Sequence, residues 1–155
     1  QLHREKFVLV EYGVESTCDV TLERINRGHT YQCAVETIQR TAERGLPVGA
    51  HFILGLPGET REFTVQQAEI INQLPIDTLK LHQLQIIRGT AMAREFVQQR
   101  ERASQDASFV SDYYLYTAEE YASLIVDFLE KLRPDLVVER FTSSSPQALL
   151  LAPEW

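Results

Sequence analysis

The sequence predicts an α/β fold in which about four parallel strands are flanked by helices. Two short, nearly continuous apolar runs, residues 7–14 and 47–54, are typical of strands buried on both faces of a parallel sheet. Residues 31–42 lie between them with apolar side chains at helical spacing, and Gly45 and Pro47 then end the helix. Because strands and helices alternate, right-handed crossovers and a parallel sheet are expected.

The second half of the chain continues this alternation. Thr60 is the predicted N-cap of a helix that Pro75 ends, and residues 77–87 follow as a third, more polar strand. Thr117 and Glu120 form a capping box at the start of the clearest helix of the chain.

Two segments complete the predicted order of elements. Residues 136–141 predict a fourth strand after the capped helix. Residues 98–111 are rich in Gln, Arg, Ser and Asp and lack apolar periodicity, which predicts a mobile connection or a frayed helix.

Side-chain alternation gives each of the first two strands one apolar and one mixed face. Glu11 and Glu15 point away from the apolar side of the first strand, and His51 points away from the apolar side of the second. A face that mixes glycine with ionisable groups is expected to line a barrel or a cleft.

Composition limits the classes of function. The chain has 155 residues, of which 44% are hydrophobic and 24% charged, as expected for one soluble globular domain. The net charge of −7 and the scattered Lys and Arg disfavour a stand-alone nucleic-acid-binding module.

No apolar run is long enough to span a membrane and residues 1–4 do not resemble a signal peptide, so a cytoplasmic protein is expected. Cys18 and Cys33 match neither a disulfide scaffold nor a paired-cysteine metal site and predict reduced thiols.

Ligands of parallel α/β sheets bind at the carboxyl ends of the strands, and polar residues are found there. Glu15 offers paired acceptors to the vicinal hydroxyls of a ribose, or it is a solvated loop carboxylate. Arg27 offers a planar fork for a carboxylate, or it is a surface arginine. His51 is either a ligand contact or a hydrogen-bonded core histidine. The turn from Gly55 to Gly58 permits close backbone approach to a ligand, or it is a plain strand-to-helix turn.

Three sequence segments carry a resemblance to a known family. They are Tyr-Gly-Val-Glu-Ser at residues 12–16, Ile-Asn-Arg-Gly-His at 25–29 and His-Phe-Ile-Leu-Gly-Leu-Pro-Gly-Glu-Thr at 51–60. From about Phe7 onward the chain resembles the C-terminal half of the partial TIM barrel of radical S-adenosylmethionine (SAM) enzymes. Residues 87–90 and the Ala-Pro-Glu-Trp ending are similar to bacterial, uncharacterised iron–sulfur oxidoreductases related to the Elongator catalytic subunit. The resemblance implies a parallel β/α half-barrel.

The resemblance also implies a cofactor and its contacts. In this superfamily a [4Fe–4S] cluster, held by a Cys-x3-Cys-x2-Cys loop, cleaves SAM to a 5′-deoxyadenosyl radical that abstracts a substrate hydrogen. Glu15 would hold the ribose hydroxyls, Arg27 the methionine carboxylate, and Ile53 would pack on adenine. His51 stands where a related branch has an acidic ribose ligand. The SAM contacts implied in this way are Glu15, Ser16, Arg27, His51, Ile53, Gly55, Leu84 and Gln85.

The sequence departs from the family in its cysteines. It contains two cysteines and no Cys-x3-Cys-x2-Cys, so cluster ligands, catalytic residues and the first three strands are expected outside this chain. Residues 1–155 are therefore expected to be one domain of a longer enzyme, with a half-barrel at 7–131 and a C-terminal strand and tail at 132–155. Alone, the chain is expected to be inactive, to need the N-terminal half of the same barrel as its partner, and to self-associate.

Two other functions remain open from the sequence. The chain is alternatively an interaction or substrate-recognition module whose residues 132–155 dock a partner such as tRNA, although its acidic balance weighs against tRNA. It is alternatively a complete, non-radical α/β enzyme that uses Glu11, Glu15 and His51 as acids and bases. The substrate is not identified by the sequence under any of these hypotheses.

Overall fold

The computed structural model describes residues 5–155; residues 1–4, which the signal-peptide argument used, lie outside the described residues. In chain order the elements are β1 (Val10–Glu15), α1 (Asp19–Arg24), α2 (Tyr31–Ala42), β2 (Val48–Leu54), α3 (Arg61–Ile71), β3 (Thr78–Gln83), β4 (Ile86–Ile87), α4 (Ala91–Gln105), α5 (Ala118–Lys131), β5 (Val137–Arg140) and β6 (Leu150–Ala152).

Four of the strands form the predicted parallel sheet, in the order β1-β2-β3-β5. The register places Gly13 beside His51, and His51 beside Lys80. Because parallel strands end at one edge of the sheet, the residues that follow β1, β2 and β3 come together there. The predicted α/β half-barrel of four strands is thus confirmed.

The predicted separation of the strand faces is also confirmed. Val14, Phe52 and Leu81 point to one face of the sheet and are at most 1% exposed. Helices α2, α3 and α5 cover that face and form a single apolar core with it. Their buried contributions are Ala34, Ile38, Ala68, Ile71, Tyr121, Leu124, Ile125 and Phe128.

Two of the covering helices start at the predicted caps. The Thr60 hydroxyl accepts the backbone N–H of Phe63 at 3.2 Å, and α3 begins at the next residue after Thr60. At α5, Thr117 and Glu120 form the predicted reciprocal capping box. These caps satisfy backbone donors that would otherwise be unpaired at the helix N-termini.

A helix was one of the two predicted alternatives for residues 98–111, and the structure has a helix over residues 98–105. Helix α4 continues to Gln105, because Thr90 caps its N-terminus and Ala93 and Phe96 are buried beneath it. Most of its other positions face solvent. The stretch is therefore largely polar, and its few apolar residues do not form the periodic stripe that predicts a helix.

The third strand also differs from its prediction. Strand β3 ends at Gln83, and β4 pairs antiparallel with β6 in a separate two-stranded sheet. Leu84, between β3 and β4, is 6% exposed. It packs in a second, smaller core with Leu56, Ile86, Phe96 and other residues of α4 and β6. None of the helices in residues 5–155 combines the length and the apolar character needed to span a bilayer.

Candidate functional site

The carboxyl end of β1 has an unusual backbone conformation. The β1–β2 register shifts between Gly13 and Glu15, and Glu15 has a φ of 70°, in the left-handed region that residues with a Cβ rarely adopt. Such strained residues persist only where their surroundings hold them, and they cluster at functional sites. The strain turns the Glu15 side chain toward the mixed face of the sheet, where it is 19% exposed.

The turn after α1 brings Arg27 over the same strand end. Asn26, at a φ of 57°, reverses the chain, and the Arg27 guanidinium then donates to the carbonyl oxygen of Gly13 from Nη2 at 2.5 Å and from Nε at 3.2 Å. Its Nη2 is 3.7 Å from Oε1 of Glu15. A Cβ at position 13 would lie 2.6 Å from both of these atoms, so only glycine admits the two charged groups together.

His51 on β2 belongs to a row of polar side chains that crosses the mixed face of the sheet. Its Nε2 is 3.1 Å from Oε1 of Glu11, which also accepts a hydrogen bond from Lys80. Lys80 is in turn 3.4 Å from Glu139 on β5. The His82 ring is 5.6 Å from that of His51. The mixed face therefore carries a connected polar network, as its sequence pattern indicated.

Most of the predicted site residues line one cavity of about 450 Å³ at the carboxyl ends of the strands. Glu15, Arg27 and His51 supply its polar groups. Further polar side chains come from the end of β3, the residues after it and the segment after β5: His82, Gln83, Gln85 and Ser143. The apolar part of the wall consists of Ile25, Ile53, Leu56, Leu84 and Met92. This is the size and the mixture of apolar walls with a few polar groups that small-molecule sites have.

Burial shifts the pKa values of two groups in this cavity. Burial raises the pKa of the Glu15 carboxyl, although Arg27 and then His51 act in the opposite direction. Burial also lowers the pKa of His82, and the charge of His51 adds to that effect. Both shifts indicate a partly desolvated environment, in which hydrogen bonds to a ligand are stronger than in water.

Two predicted residues lie outside the cavity wall. Ser16 is completely buried and donates to Glu59 at 2.5 Å. Gly55, at a φ of 83°, faces the ring of Tyr116, which a Cβ there would approach to 3.0 Å. Leu84 and Gln85 do line the cavity, but the Leu84 N–H donates to the Leu54 carbonyl at 3.1 Å. The Gln85 side chain bonds Ser143 and Ser145.

Sequence reasoning did not select several lining residues. Gln83 exchanges two hydrogen bonds with the Ser143 backbone, at 2.9 and 2.8 Å, and so connects β3 to the segment after β5. Met92 lines the cavity from the first turn of α4. The apolar periodicity of the sequence did not predict a helix at that position. Ser143 follows the fourth strand, and its position after a strand end was the signal available.

A larger cavity, of about 900 Å³, lies elsewhere on the molecule. It is open, and it is formed by the N-terminal ends of α3 and α5 with Val110, Tyr114 and Tyr116. None of the eight implied SAM contacts lines it, although Gly58 of the Gly55–Gly58 turn does. The smaller cavity is the candidate site, because it is the one at the strand carboxyl ends, with the strained Glu15 in its wall.

The side chains that line the smaller cavity fit, by their chemistry, an adenosyl group that carries a carboxylate. Acceptors at Glu15 and His51 suit ribose hydroxyls, the guanidinium of Arg27 suits a carboxylate, and Ile53 with Met92 offers apolar contact to a base. The described residues do not fit an iron–sulfur cluster. No group of three metal-binding side chains occurs within residues 5–155.

Comparisons with known proteins match the chain to two family models. The family described as "Radical SAM superfamily" matches residues 1–65, and the family described as "Radical_SAM C-terminal domain" matches residues 76–155. Protein YhcC of Escherichia coli K12 is 34% identical over 148 residues, which are 96% of this chain and 44% of that protein. YtqA of Bacillus subtilis is 30% identical over 156 residues, or 100% of this chain and 44% of that protein. The chain thus spans less than half the length of these relatives.

Other relatives extend the comparison to Elongator-like proteins. A tRNA uridine(34) acetyltransferase of Methanocaldococcus jannaschii is 30% identical over 86 residues, which are 54% of this chain and 16% of that protein. The structure of archaeal Methanocaldococcus infernus Elp3 superposes with a TM-score of 0.76 at 20% identity, over 93% of this chain and 32% of that one. At that identity the superposition shows a shared fold.

Proposed function

The chain belongs to the radical SAM superfamily, and we propose that it forms the SAM-binding half of a longer radical SAM iron–sulfur enzyme, an oxidoreductase acting in the cytoplasm. SAM and a [4Fe–4S] cluster together supply a radical that abstracts hydrogen from a substrate in this superfamily. The cluster ligands and the first strands of the barrel belong to the N-terminal half of that enzyme under this proposal. Residues 1–155 act as one domain, inactive without that half.

The supporting observation is the convergence of Glu15, Arg27, His51 and Ile53 on one cavity. The four residues come from three separate sequence segments, and together they have the chemistry that three parts of SAM require. Glu15 and His51 accept hydrogen bonds from ribose hydroxyls, Arg27 holds the methionine carboxylate, and Ile53 packs on the adenine. The apolar walls exclude water from these contacts and strengthen them.

A tRNA is the substrate that the relatives favour for the whole enzyme. The M. jannaschii relative is a tRNA uridine(34) acetyltransferase, and a Desulfosudis oleivorans protein named tRNA-2-methylthio-N(6)-dimethylallyladenosine synthase is 31% identical over 72 residues. The net charge of −7 disfavours tRNA binding by this chain itself. The basic surface for an RNA would therefore lie in the remainder of the enzyme.

The chain offers well-placed reporters for a binding test. Met92 is its one methionine and lines the cavity, whereas Trp155 is its one tryptophan and bonds Tyr116 away from it. We expect titration with SAM to shift the Met92 methyl signal in an NMR spectrum and to leave the Trp155 indole signal unchanged. Affinity should be in the millimolar range, because the N-terminal strands and the cluster supply the missing contacts. Submicromolar binding, or shifts at Trp155 alone, would contradict the proposal.

A further inference from the structure

Glu11 and His51 form a pair whose geometry determines which nitrogen of the neutral imidazole carries the proton. Oε1 of Glu11 is 3.1 Å from Nε2 of His51, and a carboxylate only accepts hydrogen bonds, so Nε2 carries the proton. In a neutral imidazole the other ring nitrogen is then an acceptor. Nδ1 of His51 has no hydrogen-bond partner within residues 5–155, and His51 lines the cavity.

Lys80 keeps Glu11 in the state that this pairing needs. It donates a short hydrogen bond to the same Oε1 atom, and its side chain is only 15% exposed. Hydrogen bonds from Lys80 and then from His51 lower the pKa of the Glu11 carboxyl, so the group stays ionised. Glu11 does not line the cavity and lies two residues before Gly13 on β1, opposite Gly49.

We infer that Glu11 is a positioning residue, which holds His51 as the Nε2–H tautomer so that Nδ1 accepts a hydrogen bond from a ribose hydroxyl of an adenosyl ligand. The inference rests on the proposed function and adds a ligand selectivity to it. The opposite tautomer would present an N–H donor to the ligand, and a ribose hydroxyl would then have to turn its own proton away. The same logic governs histidines whose second ring nitrogen is held by a carboxylate in metal sites.

The tautomer is measurable without any ligand. In a chain with ¹⁵N-labelled histidine, long-range ¹H–¹⁵N correlations distinguish Nε2–H from Nδ1–H, and the His51→Gln variant assigns the His51 signals. In the spectrum of the neutral imidazole, we expect His51 as the Nε2–H tautomer. Glu11→Gln should produce a mixture, because an amide can accept from or donate to Nε2. Glu139→Gln removes a charge on the other side of Lys80 and should leave the tautomer unchanged.

The ligand arm separates this inference from the proposed function. Adenosine and 2′,3′-dideoxyadenosine share the base, so both should shift the Met92 methyl signal at millimolar concentration. Only adenosine should shift Nδ1 of His51, and Glu11→Gln should raise the midpoint of its titration by roughly three- to tenfold. Failure of every nucleoside and of SAM to shift Met92 would reject the proposed function. Predominant Nδ1–H in the unliganded protein, or equal Nδ1 shifts with both nucleosides, would reject the role of Glu11.

Discussion

The hydroxyl of Ser16 donates a 2.5 Å hydrogen bond to Oε1 of Glu59, which ties the turn after β1 to the turn after β2. Gln67 completes the connection. Its Nε2 donates to Oε2 of Glu59 at 3.2 Å, and its Oε1 accepts the Thr17 N–H at 2.8 Å. Ser16 and Gln67 are 0% and 1% exposed. Since Ser16 directly follows Glu15, this buried cluster holds the strained residue of the cavity in place.

Removing the shared acceptor of this cluster is expected to destabilise the fold. Glu59→Ala leaves the Gln67 amide without this acceptor and leaves the Ser16 hydroxyl only its longer, 3.4 Å hydrogen bond to Oε1 of Gln67. Loss of a buried acceptor costs about 1–3 kcal/mol. Urea denaturation monitored by circular dichroism measures this change in the free energy of unfolding. Glu62→Ala, an exposed position in the first turn of α3, is the matched control. A loss no larger than that of Glu62→Ala would show that the cluster does not stabilise the chain.

The pH dependence of stability tests the charge of Glu59. Burial raises the pKa of its carboxyl group above the usual value, against the opposing hydrogen bonds from Ser16, Thr21 and Gln67. Between the ordinary and the raised pKa, the folded chain binds more protons at Glu59 than the unfolded chain does. The contribution of Glu59 to the free energy of unfolding therefore falls as pH rises through that window and is constant above it.

Glu59→Gln has no such titration, so its stability relative to the wild type should improve as pH rises through the window. The difference between the two free energies of unfolding cancels the contributions of the other groups that titrate in this window, including Glu15. Urea denaturation of both proteins over a pH series measures it. A difference that changes with the opposite sign would mean that the hydrogen bonds outweigh burial at this carboxyl.

Gly13→Ala is expected to separate ligand binding from stability. Gly13 is not in the left-handed region, so alanine suits its backbone, but the new Cβ would lie 2.6 Å from Nη2 of Arg27 and from Oε1 of Glu15. Both are the ends of flexible side chains, which can move away. The free energy of unfolding should change by less than about 1 kcal/mol. The shift of the Met92 signal with SAM should disappear. Unchanged SAM binding would show that the positions of Glu15 and Arg27 do not matter to it.

Arg27 itself should be important for binding in the full-length enzyme. Arg27→Ala is expected to weaken SAM binding by roughly 1.5–3 kcal/mol, the range for a hydrogen bond to a charged group. Arg27→Lys should restore only part of this loss, because an ammonium group lacks the planar fork. Arg24→Ala is the control, since Arg24 pairs with Glu95 and Asp112 outside the cavity. Calorimetry measures the SAM affinity of each variant. A wild-type affinity for Arg27→Ala would exclude the contact between Arg27 and the SAM carboxylate.

Most of the fold could be predicted because its signals are local. Buried parallel strands give continuous apolar runs, and caps such as Thr60 and Thr117 sit directly before their helices. Over the second half of α4 the sequence predicted only a frayed helix or a mobile connection, because the two buried side chains that hold the helix, Ala93 and Phe96, lie in its first half. The break after Gln83 depends on pairing with β6, some sixty residues later, which no local pattern reveals.

The site was predictable where chemistry and strand position coincided. Glu15 ends β1 and His51 lies on the mixed face of β2, whereas Arg27 follows α1 and was selected for its guanidinium; all three share the cavity. Ser16 stood in the same motif, yet one residue further along the strained turn its side chain points into the interior toward Glu59. Which side of that turn a residue faces follows from the bulge between Gly13 and Glu15. A glycine inside a strand pattern, such as Gly13, indicates a bulge but not which side chains the bulge redirects.

The free edge of the sheet is the remaining structural feature with a predicted consequence. Strand β1 pairs only with β2 in the described sheet. The Val10 N–H donates inward to the Pro47 carbonyl, so by alternation the backbone groups of Glu11 and Gly13 point outward. Arg27 already occupies the Gly13 carbonyl. The open part of the edge is thus the stretch around Glu11, with Phe7 next to it at 83% exposure.

We expect the chain alone to self-associate through this edge, as a symmetric dimer joined across β1. Unpaired N–H and C=O groups are a template for a second strand, and a twofold axis lets each copy satisfy the other. Leu84 does not contribute, because it is buried. Sedimentation equilibrium at tens of micromolar should report a dimer for the wild type. Leu9→Lys, which places a charge on the edge, should shift it toward monomer. Val126→Lys, at an exposed position of α5 remote from the edge, should not. A wild type that is strictly monomeric, or a dimer that Leu9→Lys leaves intact, would show that β1 is not the contact surface.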